Sequence, residues 1–395
     1  MVEIEFSVMV GLPGTSSHLL PLMEAFEKQS HVHVKIIEIS WAKGWTEIVK
    51  FGIFANGPDV SSIGTTWIGS LAAMQTLRPF TPQEIRALGG AEAFFEPIWR
   101  SGFLPNDPSL WATPWLGDAM VIYYWKDVLE RAGITDLESA VSAETLADTL
   151  KKLRQSGCGY PLAATTANIS IILHEAAHWL WNAGGDILSA DGRHVAFNQP
   201  AALEGFRKYF GLKPYISPES FSLSSTSAGD LFRAQKAAVH IGSPWMGIVG
   251  RTLHPEWNGN LGIQVPGTTY VGGNSLVIWR YSRNPQAAFE LIRFLSSQPS
   301  TIPTITHSSE LPTKRDAICI PGMENDVFHH AYMQAMQTGR IFPTMRLWGS
   351  VEDKLVLTIS NIWKELFANP DQDLDTCLHK HLDPLAERLN IILEN

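Results

Sequence analysis

The most literal catalytic motif in the chain is the stretch HEAAH at residues 174–178. It matches HExxH, in which two histidines one helical turn apart bind zinc beside a glutamate base. The third ligand is missing, because no HxxGxxH continuation follows and the next glutamate along the chain is Glu204. We therefore interpret the motif as one polar face of a helix and assign neither catalytic residues nor metal ligands. A zinc hydrolase using His174, Glu175 and His178 stays as a less favoured alternative, and a glycosidase using Asp118 with Glu175 is a third.

Tryptophan is a second feature with chemical meaning, because it accounts for 14 of the 395 residues. Several tryptophans lie at predicted strand ends or in a predicted late loop: Trp41, Trp45, Trp67, Trp115, Trp245 and Trp348. Polar residues are interleaved with them, namely Thr65, Thr66, Asp118, Asn274 and Arg346. Indole rings cover the C–H faces of a pyranose, while amide, carboxylate and guanidinium groups bond its hydroxyls. The pattern is typical of a carbohydrate-binding surface.

A short glycine-containing loop, GLPG at residues 11–14, connects a predicted strand to a predicted helix. The N-terminus of a helix presents N–H groups to a hydroxyl or an anion. Pro13 removes one amide that a phosphate would use, so we interpret the loop as a ligand-facing loop at a sheet edge rather than a phosphate site.

Strands and helices alternate along the chain and must position these residues. Predicted strands cover 3–10, 31–40 and 59–63, and predicted helices cover about 41–54 and 67–74. This order predicts βαβ units and a parallel sheet, whose strand exits converge on one crevice. A second alternating block begins near Trp111, with a strand at 119–124, a helix at 169–181, a hairpin at 186–197 and a helix from Asn198. We also predict a mobile loop at 220–227, a helix capped by Asn284, and helices in the last 50 residues.

Composition excludes several classes of protein. The net charge of −9 argues against nucleic acid and anionic membranes as partners, because both need clustered Lys and Arg. With 45% hydrophobic residues the chain is long enough to bury sizeable cores, and no apolar run of 18 residues predicts a membrane span.

Five segments together carry a family resemblance: GPDV…GTTW (57–67), WATPW…YYWKD…AGI (111–134), WNAGG…DG…FN (181–198), F…KAA…GSPW (232–245) and GGNS…NPQAA (272–288). In this order the chain resembles the substrate-binding proteins of bacterial ABC transporters, specifically the sugar-binding extracellular solute-binding protein family 1, which is maltose-binding-protein-like.

The resemblance implies an α/β fold of two Rossmann-like lobes joined by a hinge, the periplasmic binding protein type II architecture. It places residues 1–117 with about 270–312 in lobe 1, and 118–269 with about 313–395 in lobe 2. Hinge crossings are then expected near residues 118, 270 and 312.

The resemblance also implies a protein without catalysis or cofactor, which captures a mono- or oligosaccharide by hinge closure and delivers it to a permease. The ligand-binding residues it points to are Thr15, Ser16, Trp41, Thr65, Thr66, Trp67, Asp118, Trp245, Gly273, Asn274, Arg346 and Trp348. Among them Trp41, Trp67, Trp245 and Trp348 are stacking candidates, and Asp118 and Arg346 are hydroxyl clamps. A sugar-sensing module of a signalling protein is the main alternative.

We further expect a monomer outside the cytoplasm, tethered to the membrane through a leader that has been removed. Which sugar binds, and how long it is, stays open at this point. So does any disulfide among Cys158, Cys319 and Cys377.

Overall fold

The structure is a computed structural model, and it describes residues 2–11, 14–137, 139–307, 310–318 and 325–394. Its strands are β1 (Val2–Val10), β2 (Val32–Ser40), β3 (Val60–Gly64), β4 (Leu77–Arg78), β5 (Thr113–Ala119), β6 (Val121–Trp125), β7 (Leu162–Ala163), β8 (Val239–Gly242), β9 (Leu261–Gln264), β10 (Val271–Trp279) and β11 (Leu311–Pro312). Its α-helices are α1 (Leu20–Ser30), α2 (Trp41–Phe54), α3 (Ile68–Ala73), α4 (Pro82–Ala87), α5 (Glu96–Arg100), α6 (Lys126–Arg131), α7 (Leu146–Gln155), α8 (Ile171–Asn182), α9 (Pro200–Phe210), α10 (Ser225–Arg233), α11 (Val249–Leu253), α12 (Pro285–Leu295), α13 (Gln298–His307), α14 (Val327–Thr338), α15 (Trp348–Ala368) and α16 (Leu374–Leu393).

The first of two compact units comprises Met1–Asp118, Val271–Asp326 and Ile341–Gly349. Its seven-stranded sheet has the order β11-β5-β10-β3-β1-β2, and β4 also pairs with β10. Strands β1, β2 and β3 are parallel, as the βαβ pattern predicts, whereas β10 runs antiparallel to β3.

Alternate side chains of the β-strands build a separate core on each face of this sheet. Phe6 and Val8 of β1 pack with residues of α1 and α12. Met9, the next residue along, packs in the other core with residues of α2 and α3. The sheet is therefore covered by helices on both faces, which leaves its strand ends to carry polar groups.

The second unit comprises Ala119–Tyr270, Val327–Arg340 and Ser350–Asn395. Its four-stranded sheet has the order β7-β8-β6-β9, in which β7 and β8 are parallel and β6 is antiparallel to both of its neighbours. Trp363 of α15 packs edge-on against Tyr209 and Phe210 of α9.

The units change over close to the predicted crossings at 118 and 270. After residue 312 they divide the chain differently, since 313–326 and 341–349 group with the first unit. The identification of these units with hinged lobes stays a prediction.

Three local predictions differ from the structure. The predicted hairpin at 186–197 contains only an isolated bridge between Leu188 and Val195. The predicted loop at 220–227 includes the start of α10, because the Ser224 hydroxyl accepts a hydrogen bond from the Ser227 N–H and caps the helix. Trp115 lies inside β5 and is buried instead of preceding a strand.

Cys158 and Cys377 are free thiols, and Cys319 lies outside the described residues.

Candidate functional site

The predicted ligand residues of the first unit follow the carboxyl ends of its parallel strands. Trp41 comes directly after β2, and Thr65 to Trp67 come directly after β3. The antiparallel strand β10 adds Asn274, whose register partner is Gly64, the last residue of β3. One edge of one sheet therefore collects these residues, and ligands bind at such edges in α/β folds.

Three tryptophans form an aromatic cluster at this edge. The Trp67 ring lies 5.6 Å from the Trp41 ring and 5.8 Å from the Trp45 ring, measured between centroids. Trp41 is 43% exposed and Trp45 is 37% exposed, which is unusual for indoles packed on one another. We call Trp41, Trp45 and Trp67 the tryptophan cluster; its solvent-facing indoles suit an apolar ligand face.

A glycine allows the cluster to form. A Cβ atom on Gly44 would lie 2.8 Å from Cη2 of Trp67, so any larger residue at this position of α2 would push the ring away. Gly64 borders the same cluster, because a Cβ there would lie 3.5 Å from Cζ3 of Trp41 and 3.7 Å from Cδ2 of Trp67.

The loop before α1 is held by a carboxylate that the sequence did not single out. Glu38 of β2 accepts hydrogen bonds from the backbone N–H groups of Gly14 (2.7 Å) and Ser16 (2.9 Å). These bonds, the one from Gly14 first, lower the pKa of Glu38. Ser16 is buried and Thr15 is exposed, whereas Leu12 and Pro13 of the same predicted loop lie outside the described residues.

Gly273 and Asn274 lie near the start of β10, where Gly273 approaches the backbone of Asp118. Gly273 has φ 124°, and a Cβ there would lie 2.2 Å from the carbonyl oxygen of Leu116, so this close approach requires glycine. Asn274 is 5% exposed and donates to Oε1 of Glu310 at 3.2 Å. Its Oδ1 is buried and has no hydrogen-bond partner among the described residues, so one acceptor is left unsatisfied there.

The segment 341–349 brings Arg346 to the same unit. Ser70 of α3 donates to the Arg346 carbonyl at 3.0 Å, and a Cβ on Gly69 would meet the Met345 backbone at 2.4 Å. The Arg346 side chain is exposed. Trp348 does not match its predicted place in a loop: it begins α15, is 0% exposed, and stacks on Phe342 with centroids 4.8 Å apart. Its packing is that of a core residue, which argues against the predicted stacking role.

Trp245 is the predicted ligand residue of the second unit. It lies half-buried in a 3-10 turn after β8, and the Arg233 guanidinium lies 4.9 Å from its ring centroid. The turn is held from below, because the Tyr123 hydroxyl donates to the Ser243 carbonyl and the Tyr332 hydroxyl donates to the Pro244 carbonyl. These two hydrogen bonds hold the backbone of the turn that carries the Trp245 indole.

The HEAAH motif lies on α8, where all of its side chains are buried. The Glu175 carboxyl accepts the Thr165 N–H at 3.0 Å, and the His174 ring stacks on Tyr270. Burial lowers the pKa of His174 and His178 to about 3 and raises the pKa of Glu175 to about 8. Within the part of the chain that the structure describes, these side chains form no cluster of three metal ligands. The motif is part of the core, which goes against the zinc hydrolase and against Glu175 as a glycosidase carboxylate.

Among the described residues, no helix combines the length and apolarity that a membrane span requires.

Comparison with known proteins places this geometry in a family. The model of the bacterial extracellular solute-binding protein family matches residues 14–301. A "Probable ABC transporter-binding protein" of Deinococcus radiodurans is 23% identical over 308 residues, covering 73% of this chain and 71% of the relative. The "Maltodextrin-binding protein MdxE" of Bacillus subtilis is 22% identical over 304 residues, covering 74% and 69%.

A solved ABC transporter solute-binding protein from Thermotoga lettingae, bound with α-D-tagatose, matches all of both chains with a TM-score of 0.84 at 18% identity. This likeness confirms the predicted α/β fold class, a two-lobe periplasmic binding protein of type II. The family consists of solute-binding proteins, which are not enzymes, and it is an extracellular one. The resemblance drawn from the sequence motifs is therefore confirmed: the chain belongs to the bacterial extracellular solute-binding protein family.

Proposed function

We propose that the protein binds a carbohydrate without chemical change and delivers it to an ABC transporter permease. The observation that carries this proposal is the tryptophan cluster, two of whose indoles are exposed at the carboxyl edge of the first unit's sheet. Sugars pair with such surfaces, because their C–H faces pack on indoles while their hydroxyls bond nearby polar groups. The relatives agree with this, since one is named for maltodextrin and another was solved with tagatose.

The proposed contacts in the first unit divide by chemistry. Trp41 and Trp67 stack on the sugar ring, and the Asn274 Oδ1 accepts a hydroxyl proton. Arg346 and Asp118 bond further hydroxyls, Arg346 in the bidentate manner that guanidinium allows. The remaining proposed contacts donate or accept hydrogen bonds with sugar hydroxyls through their backbone or side-chain polar groups. They are Thr15, Ser16, Thr65, Thr66 and Gly273.

In the second unit the proposed contact is Trp245, whose Arg233 neighbour and hydrogen-bonded turn keep the indole in place. Lobe closure around the ligand belongs to the proposal too. Bound sugar would shift the population towards a closed form, which X-ray scattering of the protein with and without sugar would detect as a smaller radius of gyration.

The finer points are also part of the proposal. We infer a monomer that works outside the cytoplasm, held at the membrane by a tether. The partner is a permease, and a membrane sensor that uses the same sugar-bound form is the alternative. Copurification of the sugar-bound protein with the candidate permease or sensor would separate the two.

The deciding experiment is a thermal-shift screen of the protein against mono- and oligosaccharides, followed by calorimetric titration with each hit. A ligand that binds only the folded state at a hundredfold excess over Kd adds about 2.7 kcal/mol to the free energy of unfolding. We expect one sugar family to raise the melting temperature and no sugar to be chemically altered during incubation. Trp41→Ala should weaken that sugar about fivefold, the equivalent of about 1 kcal/mol.

Phe54→Ala is the matched control, since Phe54 lies on the same helix α2 and is 72% exposed. It should leave the affinity unchanged. Silence from every sugar, or equal losses in the two variants, would contradict the proposal.

A further inference from the structure

Three metal-ligating side chains meet between the two long C-terminal helices, away from the HEAAH motif. Glu365 of α15 lies beside Cys377 and His381 of α16, and one oxygen, sulfur and nitrogen from these residues all lie within 4.8 Å of one another. The Glu365 Oε2 and His381 Nε2 atoms are already 2.8 Å apart.

The spacing explains why the two residues of α16 converge. Cys377 and His381 are four residues apart on one helix, which puts both side chains on one face a turn apart. Glu365 reaches that face from α15, which is joined to α16 by the short connection 369–373. The Cys377 side chain is buried, whereas Glu365 and His381 are partly exposed, so an ion would enter from their side.

We propose that Glu365, Cys377 and His381 form a zinc site, with water as the fourth ligand. Thiolate, imidazole and carboxylate are the three side-chain groups that zinc takes in tetrahedral sites. Zinc–ligand bonds of about 2.0–2.3 Å set neighbouring ligand atoms about 3.4–3.8 Å apart, within reach of small side-chain rotations here. The inference does not rest on the carbohydrate proposal.

Zinc binding must displace one positive charge and two protons from the cluster: the Lys380 ammonium, the Cys377 thiol proton, and the His381 Nε2 proton that the Glu365 carboxylate accepts. The Lys380 ammonium lies 2.9 and 2.8 Å from the two Glu365 oxygens and would have to leave one of them. Burial, and then the Glu365 carboxylate, raise the pKa of Cys377 to about 11, so the thiol holds a proton at neutral pH. That proton passes to solvent as the Zn–S bond forms, and the His381 imidazole binds through Nε2 once its proton has moved to Nδ1 by way of solvent.

The test uses Co²⁺ and Zn²⁺ alone as probes on the full chain freed of metal with a chelator. We expect one equivalent of Co²⁺ to give a near-ultraviolet thiolate charge-transfer band and the d–d absorption of a four-coordinate site. One equivalent of Zn²⁺ should remove both signals and raise the melting temperature.

Four variants test the three proposed zinc ligands and Lys380, which competes with the metal for the Glu365 carboxylate. Cys377→Ser should abolish the charge-transfer band, and Glu365→Gln and His381→Gln should each weaken metal binding about tenfold or more. Lys380→Gln should strengthen it several-fold, because it frees the carboxylate and removes a nearby positive charge.

Two matched controls remove a cysteine and a histidine that lie outside the cluster. Cys158→Ser removes the other described free thiol, and His379→Gln removes an exposed histidine of the same helix that pairs with Asp383. Both should bind metal as the unmodified protein does. The proposal is overturned if the folded protein shows no thiolate band, or if the band survives in Cys377→Ser. If Cys377→Ser does not fold, unchanged affinities in both His381→Gln and Lys380→Gln overturn it equally.

Discussion

Helix α8 and the tryptophan cluster make opposite use of residues with chemical potential. Helix α8 carries a literal catalytic motif, yet His174, Glu175 and His178 are all buried. The tryptophan cluster matches no catalytic motif and consists of large apolar rings, yet Trp41 and Trp45 are exposed.

From this difference we expect the exposure of the aromatic side chains, more than their type, to separate ligand contacts from core contacts. Burial favours the neutral form of an ionisable group, as the pKa values of the α8 side chains indicate. Exposed indoles lose solvent contact only when a ligand covers them, so their burial contributes to binding and not to folding. Substitutions in the two regions should therefore move different quantities.

The largest effect is expected from Glu175→Ala. It leaves the buried Thr165 N–H without an acceptor and opens a cavity, so the free energy of unfolding should fall by about 3 kcal/mol. Sugar affinity, measured well below the melting temperature, should not change. Glu175→Gln is the control, because its amide oxygen still accepts that hydrogen bond. If a Glu175 variant lost sugar affinity while its free energy of unfolding stayed unchanged, the comparison would be contradicted and α8 would be a functional site.

A second effect is the pH dependence that α8 imposes on stability. The folded state raises the pKa of Glu175 from 4.5 to about 8, so it binds more protons than the unfolded chain in that range and loses stability as the pH rises. It lowers the pKa of His174 and His178 from 6.5 to about 3, so it loses stability as the pH falls below 6.5.

Denaturant unfolding should therefore show a maximum of stability near pH 6.5. Between pH 6.5 and 8 the loss due to Glu175 is at most about 1.4 kcal/mol per pH unit, and it should disappear in Glu175→Gln while the acid-side loss stays. An unchanged alkaline slope in that variant would mean that Glu175 is ionised when folded.

The smallest effect is expected from Trp245→Ala in the second unit. It should weaken sugar binding by about 1 kcal/mol, or about fivefold, with the melting temperature nearly unchanged. Leu253→Ala, at an exposed position of the same unit, is the control and should alter neither quantity. A collapse of the melting temperature in Trp245→Ala would instead place Trp245 with the core residues.

Much of the fold could be predicted because the local patterns agree with it. Helix α2 spans Trp41–Phe54 as expected, and α12 begins with Pro285 as expected. The predicted hairpin is reduced to its turn: Asp191 accepts from the Ser189 hydroxyl and the Arg193 N–H, and only a few backbone hydrogen bonds join the two arms around the Leu188–Val195 bridge. The serines near 224 predict a loop because capping serines and turn-forming serines look alike in sequence, whereas in the structure Ser224 caps a helix.

The site was less predictable, because its contacts join residues that are distant in sequence. Nothing local shows that Glu38 binds the Gly14 amide, or that Trp348 stacks on Phe342. The cluster of Glu365, Cys377 and His381 could not be predicted from the sequence for the same reason, since Glu365 belongs to a different helix from the other two. Strand ends could be located from periodicity, but which ring face is covered depends on packing.

The Glu38 carboxylate has a consequence for selectivity. It already occupies the Gly14 and Ser16 amides, the groups with which a loop of this kind would cradle a phosphate. The negative charge of Glu38 repels an anion at this loop and does not repel a neutral molecule. A phosphate group is therefore disfavoured at this loop, because both amides are occupied and the Glu38 carboxylate repels it.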